Sequence, residues 1–402
     1  MTIMESGEWK SNRIQRLPEN RFRELTNLKI SLRAKETEIT DLSEGIPDVP
    51  PSPRLLHYLG KMALKNCLHT YPNRWGASSL LKEIERFLQT WFDVTPGKWA
   101  IIPVAGSKEA FAHISSAVLN PGDTALLPAP GYPIYSVVAS YTGAKYENYT
   151  FSETGTPQLH QLSNETLEAS KLLFQTSPNN PTGLLVPPEG IKETLIKCSE
   201  HNIVLCQDMA YANLVQKKDK AVSVLSIADE SQLVLEVHSL SKCLSVPGWR
   251  FGFVAGNRQL IENLELSKSV FDTGIFPLIQ KSARYALIHF EEFNEQPLAT
   301  YQRRIQMARS ILEVYGVIVN PHTNGIFVWI LVDSERGSGT AFAQLLMENF
   351  KILVMPGAAF RDPEDLHVRV SLTVHEDLLG YALPIIGQQI KSYRIARHQQ
   401  VG

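Results

Sequence analysis

Short apolar runs alternate with amphipathic stretches through the middle of this chain, and no other feature limits its fold so strongly. The runs are ALLP (125–128), LLFQ (172–175), IVLC (203–206) and LVLEV (233–237), and stretches such as PPEGIKETLIKCSEH (187–201) between them carry a helical pattern. Strand–helix–strand units of this kind predict an α/β fold with a mostly parallel central sheet flanked by helices. The tail differs: a helical segment from about Phe290 to Tyr315, then GIFVWILVD (325–333), a helix near 339–350 and HVRVSLTV (367–374). Mixed strands and helices after a parallel core suggest a second, smaller α+β domain. Proline-rich punctuation falls at IPDVPPSP (46–53) and SPNNPTGLLVPP (177–188). We therefore expect three parts: an N-terminal arm (1–46) packing with the small domain, a large domain (47–289) and a small C-terminal α+β domain (290–402).

Charge and cysteine usage narrow the class without naming it. A formal net charge of −2 with scattered Lys and Arg argues against nucleic acid or an anionic membrane as partner. The four cysteines, Cys67, Cys198, Cys206 and Cys243, form no CxxC pair, which suggests neither a disulfide framework nor a zinc site. The eleven histidines form no HxxxH set, so no metal is expected. The polar, charged N-terminus lacks the apolar core of a signal peptide, and no window approaches a membrane helix. A cytoplasmic small-molecule enzyme or binder is the expectation.

In an open parallel sheet, ligands bind beyond the carboxyl ends of the strands. The residues just after each run are Tyr132 in APGYPIY, Asn180 in TSPNNPTG, Asp208 and Tyr211 in QDMAY, and Ser239, Ser241 and Lys242 in HSLSK. Four strands thus bring an aromatic ring, an amide, a carboxylate, a phenol, hydroxyls and a lysine to one edge. GSKEAFAHISSAV (106–118) reads as a helix opened by Gly106-Ser107-Lys108, whose free N–H groups suit an anion. The dipole contributes only about 0.3–1 kcal/mol. A tightly held phosphate needs more, and Arg250, eight residues after Lys242, is the natural supplier. A phosphate grip, an imine-forming lysine, a carboxylate for a ring nitrogen and a stacking aromatic together suggest pyridoxal 5'-phosphate.

With these residues the chain resembles, over nearly its whole length, the fold-type I pyridoxal-phosphate enzymes, and among them the class I/II aminotransferases. Ser239-Leu240-Ser241-Lys242 with Gly248-Trp249-Arg250-Phe251-Gly252 is similar to that family's lysine signature. Asn179-Asn180-Pro181-Thr182-Gly183 resembles its Asn-Pro-Thr-Gly box, Asp208-Met209-Ala210-Tyr211 its Asp-x-x-Tyr, and Pro356-Gly357 to Phe360, then Arg369-Val370-Ser371-Leu372, its C-terminal substrate segment. Gly106-Ser107-Lys108-Glu109 and Asp272-Thr273-Gly274-Ile275-Phe276 look closest to the diaminopimelate and alanine aminotransferase branch.

The resemblance implies a role for each residue. Lys242 holds the cofactor aldehyde as an imine and then moves the Cα proton, which needs a lowered pKa. Asp208 keeps the pyridine nitrogen protonated, making the ring an electron sink. Tyr211 and Asn180 bond the ring hydroxyl oxygen, and Tyr132 stacks on the ring face. Gly106, Ser107, Lys108, Ser239, Ser241 and Arg250 surround the phosphate or its approach. Arg369 grips the substrate's α-carboxylate through two hydrogen bonds, and Gly45 lets backbone approach the same group. Tyr71, in HTYPNRWG, is implied to reach the phosphate of a neighbouring subunit, which makes the protein a homodimer with shared sites. Cys243, beside the lysine, is read as a bystander.

Cofactor identity does not fix the reaction. The leading expectation is transamination between an L-amino acid and a 2-oxo acid. The alternative is a lyase or cyclase acting by β- or γ-elimination on a modified amino acid. Leu17-Pro18-Glu19-Asn20-Arg21-Phe22 departs from the aromatic-rich segment of the diaminopimelate branch, and Glu19 with Asn20 would suit a cationic side chain. A non-enzymatic pyridoxal-phosphate sensor would carry a DNA-binding domain, and none fits before Pro47.

Overall fold

The computed structural model describes residues 9–18, 25, 29–30, 38–215, 220–332 and 338–398, the side chains only as far as 392. Glu19, Asn20, Arg21 and Phe22, and with them the expectation about a cationic side chain, lie outside the described residues.

A seven-stranded sheet is built from β2 (Ala100–Val104), β3 (Thr124–Pro128), β4 (Lys145–Tyr149), β5 (Ser170–Thr176), β6 (Val204–Asp208), β7 (Val234–Ser239) and β8 (Gly252–Gly256), in the order β2-β8-β7-β6-β5-β3-β4. The neighbours β3, β4, β5, β6 and β7 are parallel, whereas β8 runs antiparallel to both β2 and β7. The sheet is thus mostly parallel, as the alternation predicts. Its inner strands are buried on both faces because helices cover both, whereas β4 at one edge is largely exposed. Side chains alternate accordingly: Leu126, Leu173 and Leu205 point into one apolar cluster, and Leu127, Leu172 and Cys206 into the opposite one.

Among the helices, α1 (Pro53–Ala63), α2 (Ser78–Phe92), α3 (Ser107–Val118), α4 (Ile134–Thr142), α5 (Pro188–Glu200), α6 (Arg258–Ser269) and α7 (Pro277–Ile288) accompany this sheet. Their starts follow local rules. α5 and α7 open with proline, which lacks the N–H a first turn cannot use. The Asn257 side chain accepts from the amides of Gln259 and Leu260 to cap α6. Gly106 precedes α3 at φ 86°, ψ 163°, a conformation open essentially only to glycine.

The long helix α8 (Phe290–Glu313) crosses between two cores. Phe290, Phe293 and Tyr301 belong to the cluster under the large sheet, and Ile305, Ala308 and Leu312 to a separate cluster with the tail. That second core gathers around a three-stranded antiparallel sheet, β11 (Met355–Pro356), β12 (His367–Ser371) and β9 (Phe327–Leu331), together with α9 (Gly339–Phe350) and α10 (Glu376–His398). A two-residue strand β1 (Thr40–Asp41) pairs parallel with β10 (Ile352–Leu353), and Leu42 is buried in the tail's core.

Candidate active site

The carboxyl ends of β5, β6 and β7 open into a cleft of about 310 Å³. It is lined by Gly45, Ser107, Lys108, Tyr132, Asn180, Asp208, Tyr211, Ser239, Ser241, Lys242, Arg250 and Arg369, every one of them expected from the sequence. Glu44, Ile46, Ala210, Pro247 and Phe327 complete the lining. Two expected residues stand apart. Gly106 lies behind Arg250 rather than in the wall, and Tyr71 is 88% exposed and outside this cleft.

Lys242 follows β7 and points its Nζ to the carbonyl of Gly45, to which it donates at 2.6 Å. Burial, then the positive charges of Arg369 and Arg250, lower its pKa to about 8. Asp208, the last residue of β6, is 4% exposed. Its Oδ1 accepts from the Ala210 amide at 2.9 Å and its Oδ2 from the Tyr135 hydroxyl at 2.8 Å. Burial nevertheless pushes its carboxyl up to about 6, because these bonds and the charge of His238 offset only part of the desolvation. Tyr135 is itself fully buried and stacks on Phe174, with centroids 4.7 Å apart.

Arg369 sits in the middle of β12, fully buried for a side chain of its size. Its Cζ lies 3.9 Å from the centroid of Phe327 and 4.6 Å from that of Phe360, so rings flank the guanidinium. Nη1 donates to Asn180 Oδ1 at 2.9 Å and Nη2 to the Ser43 carbonyl at 2.6 Å. Burial lowers its pKa to about 10. Gly45 is needed next to it for packing: a Cβ there would collide with the Phe327 ring.

One end of the cleft is formed by the start of α3, by the end of β7 and the residues after it, and by Arg250. Ser239 Oγ donates to Ser241 Oγ at 3.0 Å and accepts from the Ser241 amide at 3.2 Å. Arg250, at φ 50°, donates to the carbonyls of Pro247 (3.0 Å) and Ala105 (3.2 Å). A Cβ on Gly106 would fall 2.5 Å from Arg250 Nη2, so glycine makes the space this guanidinium fills. Cys243 is buried, and burial raises its thiol to about 12, which leaves it protonated at neutral pH. Glu109, His113 and Asp272 bring possible metal ligands together, but Lys268 pairs with Asp272 and the group forms an ion-pair network.

Tyr135, Phe327 and Ser43 are site residues that the sequence pattern alone does not single out, whereas Phe360 belongs to the segment expected to face the substrate. For Tyr135 a signal existed, since it follows Tyr132 by three residues, one helical turn, in APGYPIY.

Residues 37–386 match the family model described as aminotransferase class I and II. Among curated proteins, the chain is 30% identical over 382 residues to LL-diaminopimelate aminotransferase of Maridesulfovibrio salexigens, covering 94% of this chain and 98% of that one. It is 31% identical over 370 residues to the enzyme of the same name from Dehalococcoides mccartyi, covering 91% and 95%. Among solved structures, substrate-bound BacF from Bacillus subtilis superposes with a TM-score of 0.88 at 26% identity, covering 96% and 98% of the two chains. An aminotransferase from Staphylococcus aureus superposes at 0.86 with 24% identity over 95% and 99%, a likeness of fold. The chain thus belongs to the class I and II aminotransferases, a pyridoxal-phosphate-dependent family of fold type I. It is an aminotransferase enzyme, and the matches favour transamination over the lyase or cyclase alternative. No described helix is long and apolar enough to cross a membrane.

Proposed function

We propose that this cleft holds pyridoxal 5'-phosphate on Lys242 and moves an amino group between an L-amino acid, bound by Arg369, and a 2-oxo acid. One observation carries the reading: Lys242, Asp208 and Arg369, from β7, β6 and β12, line a single cleft in which the lysine's pKa is lowered to about 8. The residues fit the cofactor on their own chemistry. A carboxylate buried with a pKa near 6 favours a cationic partner opposite it, and a protonated ring nitrogen is one. When bound, the cofactor supplies an electron sink for the electrons left by loss of the Cα proton.

The chain's own groups do the rest. Lys242, with so low a pKa, is neutral in a sizeable fraction of molecules at pH 7–8, and a neutral amine both holds an aldehyde and accepts a proton. Tyr135 and the Ala210 amide fix the Asp208 carboxylate. Asn180 directs its Oδ1 to Arg369, which leaves its Nδ2 as donor toward the cofactor's ring oxygen, with Tyr211 beside it. Tyr132 presents its ring as the stacking face. Ser107, Lys108, Ser239, Ser241 and Arg250, with the α3 amides, hold the phosphate, and Gly106 clears space for Arg250. Arg369, with Asn180 and Gly45 around it, receives the α-carboxylate. The relatives' activity makes LL-diaminopimelate the first amino donor to test.

Three further assignments belong to this reading. The chain works as an arm (1–46), a large cofactor domain (47–289) and a small domain (290–402). Two copies pair, with Tyr71 serving the partner's phosphate. The enzyme is cytoplasmic, in keeping with four free cysteines.

Borohydride reduction of the cofactor-loaded protein followed by peptide mass spectrometry tests the central claim. The reduced cofactor is expected on Lys242, and recovery of the label on any other lysine would remove it.

A further inference from the structure

The turn Asp41–Gly45 reaches the cleft from outside the large sheet, and a lysine that does not line the cleft holds it there. Lys29 Nζ, on a residue 7% exposed, lies 2.6 Å from Asp41 Oδ2 and 2.7 Å from Glu44 Oε1. The other Asp41 oxygen accepts from the Ser43 amide at 3.0 Å and from its hydroxyl at 2.5 Å. The turn's three following carbonyls are then all committed. Ser43 O accepts from Arg369 Nη2 (2.6 Å), Glu44 O from Thr373 Oγ1 (3.0 Å) and Gly45 O from Lys242 Nζ (2.6 Å). Two carboxylates three residues apart on one turn repel unless a cation lies between them, and burial of that cation strengthens the attraction.

We propose that Lys29 is a positioning residue for the substrate. By drawing Asp41 and Glu44 together it fixes the turn whose Ser43 carbonyl orients the Arg369 guanidinium. This inference rests on the proposed role of Arg369. It has a structural corollary: Lys29 is tied to the substrate end of the cleft by charge and not only by apolar contact.

Steady-state kinetics and amide exchange on Lys29→Met, Lys29→Gln and Lys29→Arg test the inference, with Arg369→Lys in parallel. In Lys29→Met and Lys29→Gln, KM for the amino donor should rise on the order of tenfold while kcat and the cofactor dissociation constant stay within about threefold, because the phosphate end is untouched. In the cofactor-free protein, amides 41–45 should exchange on the order of tenfold faster in those variants. Lys29→Arg, which keeps the charge, should return both readouts to within about threefold of wild type. Two neutral variants guard against one that fails to fold. Unchanged KM and unchanged exchange in the neutral variants overturn the inference. A matching loss of cofactor affinity, or no rescue by arginine, overturns it too, because a merely structural residue behaves that way. If Arg369→Lys leaves KM unchanged, the role of Arg369 falls instead. If Arg369→Lys raises KM and the neutral variants do not, only the role of Lys29 falls.

Discussion

Asp208 is a carboxyl placed where its own chain makes ionisation costly. Its folded pKa near 6, against about 3.9 for an exposed aspartate, means that the cofactor-free protein loses stability as pH rises from about 4 to about 6. Below that window both folded and unfolded states are protonated, so nothing is lost. Above it the full penalty applies, about 3 kcal/mol for a shift of roughly two units. Asparagine keeps the shape and removes the titration. The cofactor-free Asp208→Asn protein should therefore gain on wild type in melting temperature across pH 4–6 and hold a constant lead above it. Parallel melting curves over that range would show that the carboxyl ionises as freely as in water. The same substitution should weaken cofactor retention, since the partner of the ring nitrogen is gone.

The strands that carry the site were legible because they are buried on both faces. LLFQ, IVLC and LVLEV run through the buried middle of the sheet, and Asn180, Asp208 and Ser239, a few residues beyond them, line the cleft. The sheet's other members were harder to see. β2 contains Pro103, which an edge strand tolerates, and β4 (KYENY) is a largely polar edge. β8 (GFVAG) has a glycine at each end, and no local pattern announces that it runs against its neighbours. Pairings such as Arg369 with Asn180, 189 residues apart, are set by packing and leave no periodic trace in the sequence. Phe327 escaped for the same reason. The start of α3 is the segment where local sequence and site geometry agree most closely. Alanine at Gly106 would have to hold a backbone conformation costing about 1–3 kcal/mol and displace Arg250 as well. Gly106→Ala should raise the cofactor's dissociation constant on the order of tenfold or more, measured by titration of the cofactor-free protein, with a lowered melting temperature. A variant that binds the cofactor as wild type does would show that Arg250 is not set by this glycine.

On the proposed pairing of two copies, Tyr71 serves the cleft of the partner. It lies in an exposed loop whose neighbour, the 272–276 loop, packs against it at Gly274 and Asn73. Leu64, Val270, Phe271 and Phe276 are large apolar side chains exposed to solvent in a single copy. A second copy covering such side chains would reduce their contact with water. In that arrangement each cleft combines Lys242 of one copy with Tyr71 of the other, and the two residues should complement between chains. Lys242→Ala protein should be inactive and Tyr71→Ala protein impaired in cofactor retention. When equal amounts are unfolded together and refolded, about half the dimers should be mixed. Each mixed dimer has one cleft carrying both substitutions and one carrying neither. Activity should therefore recover to about a quarter of the wild-type value, above the mean of the two variants refolded separately. Recovery no greater than that mean would place Tyr71 outside the partner's cleft and return each site to a single chain.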